Sequence, residues 1–232
     1  MRIAIHQPHF FPWLGYFDKI KDVDIFVLLD EVQFEKGSQM SRNRVLDNNG
    51  NIKYLTISCD TTDFLNRSYR DISTKDNPTW IHKQINCLCN YYRNSNFKKE
   101  IDSIMQNYYQ NDYNTVFQWT YESIRLSCDL LEISTPIILQ SQIEYDKTSK
   151  RSDLVLEICK QLGADEYYSG KGASVNYLDK QKFNSENIDI VFQNFEHPVY
   201  EQLNSDAFVP GLSILDYFYS CGIDRAKALF GE

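Results

Sequence analysis

The sequence predicts an α/β fold, a mostly parallel sheet flanked by helices, with a central all-helical insertion at residues 77–133. A strand–helix–strand pattern fills the first thirty residues. The same alternation resumes at Pro136, and a long run of helical spacing separates the two stretches. With 232 residues and no Gly/Ser-rich linker, residues 1–232 read as a single domain that contains the insertion.

Each element has a local reason. Arg2–His6 is a short apolar run suited to a buried strand, and the two prolines of Gln7-Pro8-His9-Phe10-Phe11-Pro12 then enforce a loop. Leu14–Val23 reads as a helix with Leu14, Phe17 and Ile20 inward and Asp18, Lys19 and Asp22 outward. Asp24–Asp30, an apolar strand bounded by acids, completes a βαβ unit. The Asn48-Asn49-Gly50 turn joins Arg44–Leu46 to Lys53–Ser58 as a hairpin. Thr79–Tyr92, Phe97–Tyr109 and Tyr113–Leu131 keep helical spacing. Strands are then expected at Pro136–Gln140, Glu166–Ser169 and Ile188–Gln193. Between them lie helices at Ser149–Leu162, closed by Gly163, and at Asp179–Ser185; Ser213–Ser220 and Arg225–Phe230 supply two more.

Composition narrows the function classes. Hydrophobic residues at 42% and charged residues at 24% exclude wholesale disorder. The net charge of −8 excludes a protein that holds nucleic acid by its overall field, although an aminoacyl-tRNA donor remains compatible with it. Six scattered cysteines lack the spacing of a zinc or redox pair and read as reduced thiols. No signal-like apolar stretch follows the first residues, and no window reaches the ~18 apolar residues of a membrane span. A cytoplasmic protein with no metal site and no tightly bound cofactor is therefore expected. Aromatic residues reach 14%, with 16 Tyr and 14 Phe against 9 Gly, a composition that fills cores and also lines pockets for sugars and flat rings.

Residues equipped for chemistry gather after strands, where an open α/β sheet places its ligands. His6 closes the first strand with an imidazole that titrates near neutral pH, and Gln7 adds an amide that donates and accepts. Trp13 offers a stacking face, and Gly15 leaves room for a ligand or backbone at the helix start. Asp30 closes the second strand, three residues before Gln33. Arg42 and Arg44 alternate along an extended segment, so they share a side and suit a diphosphate clamp. Ser169-Gly170-Lys171-Gly172-Ala173-Ser174 offers a small-residue turn for phosphate, without Walker spacing. His197, in Phe195-Glu196-His197-Pro198-Val199-Tyr200, is a second histidine after a strand. The absence of a Gly-x-Ser-x-Gly elbow and of an obvious Cys–His pair disfavours a serine or cysteine hydrolase.

Together these segments resemble the WbqC-like family. The likeness runs from Ile3-Ala4-Ile5-His6-Gln7-Pro8 through Phe11-Pro12-Trp13-Leu14-Gly15-Tyr16-Phe17 to Leu29-Asp30-Glu31-Val32-Gln33-Phe34 and Arg42-Asn43-Arg44. It continues in Gly163-Ala164-Asp165, Tyr168-Ser169-Gly170, Tyr177-Leu178, Phe195–Tyr200 and Phe208-Val209-Pro210. The middle, from Cys59-Asp60 through the Tyr/Asn-rich helices, departs from the pattern, and nothing is carried over there. The resemblance implies bacterial surface-polysaccharide (O-antigen) biosynthesis. It also implies transfer of an acyl or aminoacyl group, such as glycyl, to the amine of a nucleotide-linked amino-dideoxy sugar, with a thioester or aminoacyl carrier as co-substrate.

On that reading His6 is the general base, oriented by Asp30 or Gln7, and His197 is a second base or a sugar contact. Arg42, Arg44 and the turn at Ser169, Gly170 and Lys171 hold the diphosphate. Trp13 and Tyr16 stack on base or sugar, and Gln33 and Tyr200 complete the substrate site. Two other readings use the same residues: a nucleotide-dependent ligase or nucleotidyltransferase, and a non-catalytic sugar-nucleotide-binding partner of a glycosyltransferase. The segment Phe11–Tyr16 is also similar in place to the Pro-x-His-x-Gly-His signature of nucleotidyltransferases, with Trp13 and Tyr16 in place of both histidines. That likeness implies a Rossmann-like, nucleotidyltransferase-like sheet.

Overall fold

Seven strands and eight helices make up the computed structural model, which describes residues 1–231. The strands are β1 (Arg2–His6), β2 (Ile25–Leu28), β3 (Arg42–Leu46), β4 (Ile52–Thr56), β5 (Ile137–Leu139), β6 (Glu166–Ser169) and β7 (Asp189–Phe192). The helices are α1 (Leu14–Lys21), α2 (Thr79–Tyr91), α3 (Lys98–Tyr109), α4 (Val116–Leu131), α5 (Ser152–Gln161), α6 (Lys180–Ser185), α7 (Ile214–Cys221) and α8 (Ile223–Phe230). β3 and β4 pair as an antiparallel hairpin apart from the main sheet.

The other five strands form one parallel sheet in the order β5-β2-β1-β6-β7. Counting only these strands along the chain, the order is third, second, first, fourth, fifth, which is the doubly wound, Rossmann-like arrangement. Side-chain alternation sends Ala4, Phe26, Leu28 and Tyr168 to one core and Ile3, Ile5, Val27 and Tyr167 to the other. Both faces are therefore covered, as a parallel sheet requires. α1, the three middle helices, α7 and α8 pack on the first face; α5 and α6 pack on the second.

Element ends follow their capping chemistry. The third middle helix begins at Val116, because Thr115 accepts from the backbone N–H of Gln118 while the Gln118 side chain accepts from Thr115 N. All six cysteines are free thiols. Among the described residues no helix is long and apolar enough to cross a membrane.

The connections set the position of the crevice. The chain leaves β1 toward β2 on one side and leaves β6 toward β7 on the other, so the gap between the carboxyl ends of β1 and β6 is the topological switch point.

Candidate functional site

The loop that leaves β1 is fixed from several directions. Phe11 adopts φ +39°, a region that costs energy for a non-glycine residue and persists only under constraint. Asn43 Nδ2 donates to the carbonyls of Phe10 (3.0 Å) and Phe11 (2.8 Å), Ser213 Oγ donates to Phe11 O (2.8 Å), and Phe11 N donates to Ser123 Oγ (3.0 Å). The hairpin, α4 and the start of α7 thus hold the loop together, and the Phe10 and Phe11 rings are buried beneath it.

At the mouth of β1, three rings meet. His6 lies edge-on to His9 with centroids 4.8 Å apart and to Tyr16 at 4.9 Å. His6 Nδ1 is 2.8 Å from Gln7 O. A carbonyl only accepts, so the proton sits on Nδ1 and Nε2 keeps its lone pair. The Tyr16 hydroxyl donates to the same carbonyl at 3.0 Å. Burial first, then the charge of Lys19, holds the His6 imidazole neutral, well below its ordinary range; the same causes bring His9 down to about 3.

Lys19 itself departs from the sequence expectation. It is 5% exposed rather than outward, while its neighbours on α1 are held by Gln193 after β7, which donates to Gly15 O (2.8 Å) and Asp18 Oδ2 (2.7 Å). The Lys19 ammonium lies against Gly170, 3.0 Å from where a Cβ on that residue would stand. Burial lowers its pKa to about 8. A lone lysine on a short helix gives no sequence signal for this role, since the wheel shows its face but not what covers that face.

Beside this cluster runs a groove of about 410 Å³ lined by Trp13, Gln39, Arg44, Phe195, His197, Pro210 and Gly211. Trp13 and His197 lie nearly parallel, with centroids 6.2 Å apart, and Phe195 meets both edge-on. His197 is half-buried and directs Nδ1 at Pro198 O (3.0 Å); burial lowers its pKa. Arg44 Nη2 donates to Gly211 O (2.7 Å), which holds the guanidinium along the wall. Gly15 is needed for a reason other than ligand access: a Cβ there would stand 2.3 Å from the Trp13 ring, so the indole fills the space. A larger groove of about 480 Å³ runs along α2, between Thr79 and Tyr91, and contains none of the sequence-predicted site residues.

Several expected residues serve elsewhere. Asp30 is fully buried and accepts from Ser141 N (2.9 Å) and Ser141 Oγ (2.7 Å), with Arg70 Nη1 at 3.4 Å. Its oxygens tie β2 to the segment after β5 and do not orient His6. Tyr16 is buried with its hydroxyl committed to Gln7, and Tyr200 is buried with its hydroxyl on Asp216 Oδ2 (2.7 Å), so neither offers a ring face to a ligand. Gln33 is exposed and forms an isolated β-bridge with Ser68. Arg42 stacks on Tyr54 of the hairpin, 4.3 Å from its centroid, and does not join Arg44 in the groove. Ser169 Oγ donates to Ser174 Oγ (2.9 Å), and Lys171 is exposed with Nζ on Asn194 Oδ1 (2.8 Å), leaving Gly170 to face the crevice. His6 and His197 occupy two neighbouring niches, with Tyr16 in the first and Trp13, one helical turn earlier, in the second.

The model of the WbqC-like protein family matches residues 7–228 of the chain. The uncharacterized protein Rv1507c of Mycobacterium tuberculosis is 26% identical over 230 residues, covering 98% of this chain and 97% of that protein. No solved structure matches.

Proposed function

The chain belongs to the WbqC-like protein family, and from that membership and the crevice beside β1 we propose that it is a transferase that moves an acyl or aminoacyl group onto the amine of a nucleotide-linked amino sugar in surface-polysaccharide (O-antigen) assembly. One observation carries the proposal: His6 is held neutral, with Nδ1 pinned to Gln7 O and Nε2 unprotonated, at the carboxyl end of the central strand.

The chemistry needs this equipment. Only the neutral sugar amine attacks a carbonyl, and as the C–N bond forms its nitrogen becomes positively charged and must pass one proton to a base. Nε2 of His6 receives that proton and returns one to the leaving thiol or hydroxyl of the donor carrier when the tetrahedral intermediate collapses. The half-exposed Gln7 side-chain amide supplies a donor for the oxyanion of that intermediate. The Trp13–His197 groove suits the flat base or the sugar ring, with the Arg44 guanidinium at its wall for a charged group.

The test is to incubate the protein with a dTDP-linked 4-amino-dideoxy sugar and a panel of acyl thioesters and aminoacyl donors, reading products by mass spectrometry. Wild type is expected to form an amide product. His6→Ala is expected to slow it by about 10²–10⁴-fold with an unchanged melting temperature. Full activity in that variant removes His6 from the mechanism. Sugar-nucleotide binding with no product from any donor sinks the transfer reading. The Rossmann-like strand order also favours a second reading, nucleotidyl transfer, which pyrophosphate release from ATP or CTP would reveal.

A further inference from the structure

The Lys19 ammonium is an anomaly that the transfer reading does not use. A buried amine is ordinarily paired, because leaving water without a partner is costly. Lys19 has neither a hydrogen bond nor an ion pair among the described residues. Its neighbour Asp18 accepts from Gln193 Nε2, and the Asp22 carboxylate accepts from Tyr168 OH. His9 Nδ1, in the same corner, is likewise buried with no partner among the described residues. The residues near the ammonium, His6, His9 and Gly170, each keep some surface exposed, so it lies beneath an opening rather than inside a sealed core. Gly170 has no side chain, and the space above its backbone belongs to Nζ. The opening sits at the switch point between β1 and β6.

We propose that this crevice is a phosphoryl-binding site that takes a phosphate or diphosphate group, with the Lys19 ammonium as its charged floor and the His9 and Gly170 segments as its walls. A compact cation with three donors matches a phosphate oxygen cluster, and a neutral His9 ring adds a donor without repelling the ammonium. The bound anion supplies the missing counter-charge. It also removes the charge that opposes protonation of His6, so an anionic substrate strengthens the base beside it. Among the described residues the titratable groups that act on Nζ are Asp18 on its own helix, which favours the ammonium, and His6 and His9 across the opening, which are neutral. The proposal concerns binding alone and holds whichever group the protein transfers.

Titration calorimetry of the full chain with inorganic pyrophosphate and, separately, with UDP tests it. Both are expected to bind wild type, and Lys19→Met is expected to weaken both by about tenfold to a hundredfold. Gly170→Ala, which keeps the charge but puts a methyl group against Nζ, is expected to weaken both while leaving the melting temperature unchanged. UDP binding much tighter than pyrophosphate makes the source a nucleotide-linked phosphate; equal binding makes it a free one, and either result supports the site. From pH 7 upward, where the UDP phosphates are ionised (second pKa about 6), wild-type affinity should fall as pH rises through about 8, and Lys19→Met should show no such fall. Wild-type affinity retained in Lys19→Met, or no binding of either probe to wild type, overturns the proposal.

Discussion

His6 and His9 show how a residue's surroundings decide its chemistry. Both imidazoles would be partly charged in water near pH 6.5, and both are neutral here because burial and the nearby ammonium oppose a second proton. Their folded pKa values lie below the unfolded value, so the unfolded chain binds more protons between the two. Stability is therefore full above about pH 6.5 and declines as pH falls toward the folded value near 3. Urea denaturation between pH 7 and 5 should show this loss, with a slope of up to about 1.4 kcal/mol per pH unit for each histidine. His9→Gln should remove one proton from that slope; an unchanged slope would mean that His9 is charged in the folded protein. Position after a strand singles out His6 and His197 in the sequence, and alternation along an extended segment singles out Arg44 with Arg42. The same reasoning misplaces Lys19 and Asp30, whose neighbours Gly170 and Ser141 lie more than a hundred residues away. A local pattern carries no information about a contact of that span.

At the level of elements, the tyrosine-rich middle helices are bolted to the tail. Tyr92 and Tyr200 both donate to the fully buried Asp216 of α7, at 2.8 and 2.7 Å, and Tyr92 stacks on Tyr219 with centroids 4.4 Å apart. Tyr108 OH reaches Trp119 O and Tyr109 OH reaches Gln84 Oε1 at 2.6 Å. The periodicity of these helices is readable in the sequence, but the partners of their hydroxyls, which lie far along the chain, are not. Removing the acceptor with Asp216→Ala strands two buried hydroxyls and should cost about 2–4 kcal/mol in chemical denaturation. A loss below 0.5 kcal/mol, roughly the scatter of surface substitutions, would show the tie to be unimportant. At the other end of the site, Gly15→Ala drives a methyl group into the Trp13 ring. It should cost about 1–3 kcal/mol and weaken nucleotide binding in the groove, read as a drop in both melting temperature and UDP affinity.

Across the whole molecule, strand–helix alternation made the α/β class legible, while the spatial order of the strands came only from the structure. β1 pairs with β2 some twenty residues on, but its other edge pairs with β6, about 160 residues away. The crevice lies on that distant pairing, so a ligand that spans it joins the two halves of the sheet. UDP at 100 times its dissociation constant should stabilise the fold by about 2.7 kcal/mol. A melting temperature indifferent to saturating UDP would mean that it binds elsewhere or not at all.

The same long span governs how the protein is made. β1 leaves the ribosome before β6 and must wait for it before its second edge is covered, and for Ser213 before the loop at Phe11 is latched. Until then the nascent chain presents a bare, apolar strand edge, an invitation to mispairing that slows folding and calls for chaperone cover. The waiting has a benefit: the crevice beside β1 takes shape only once β6 has joined the sheet.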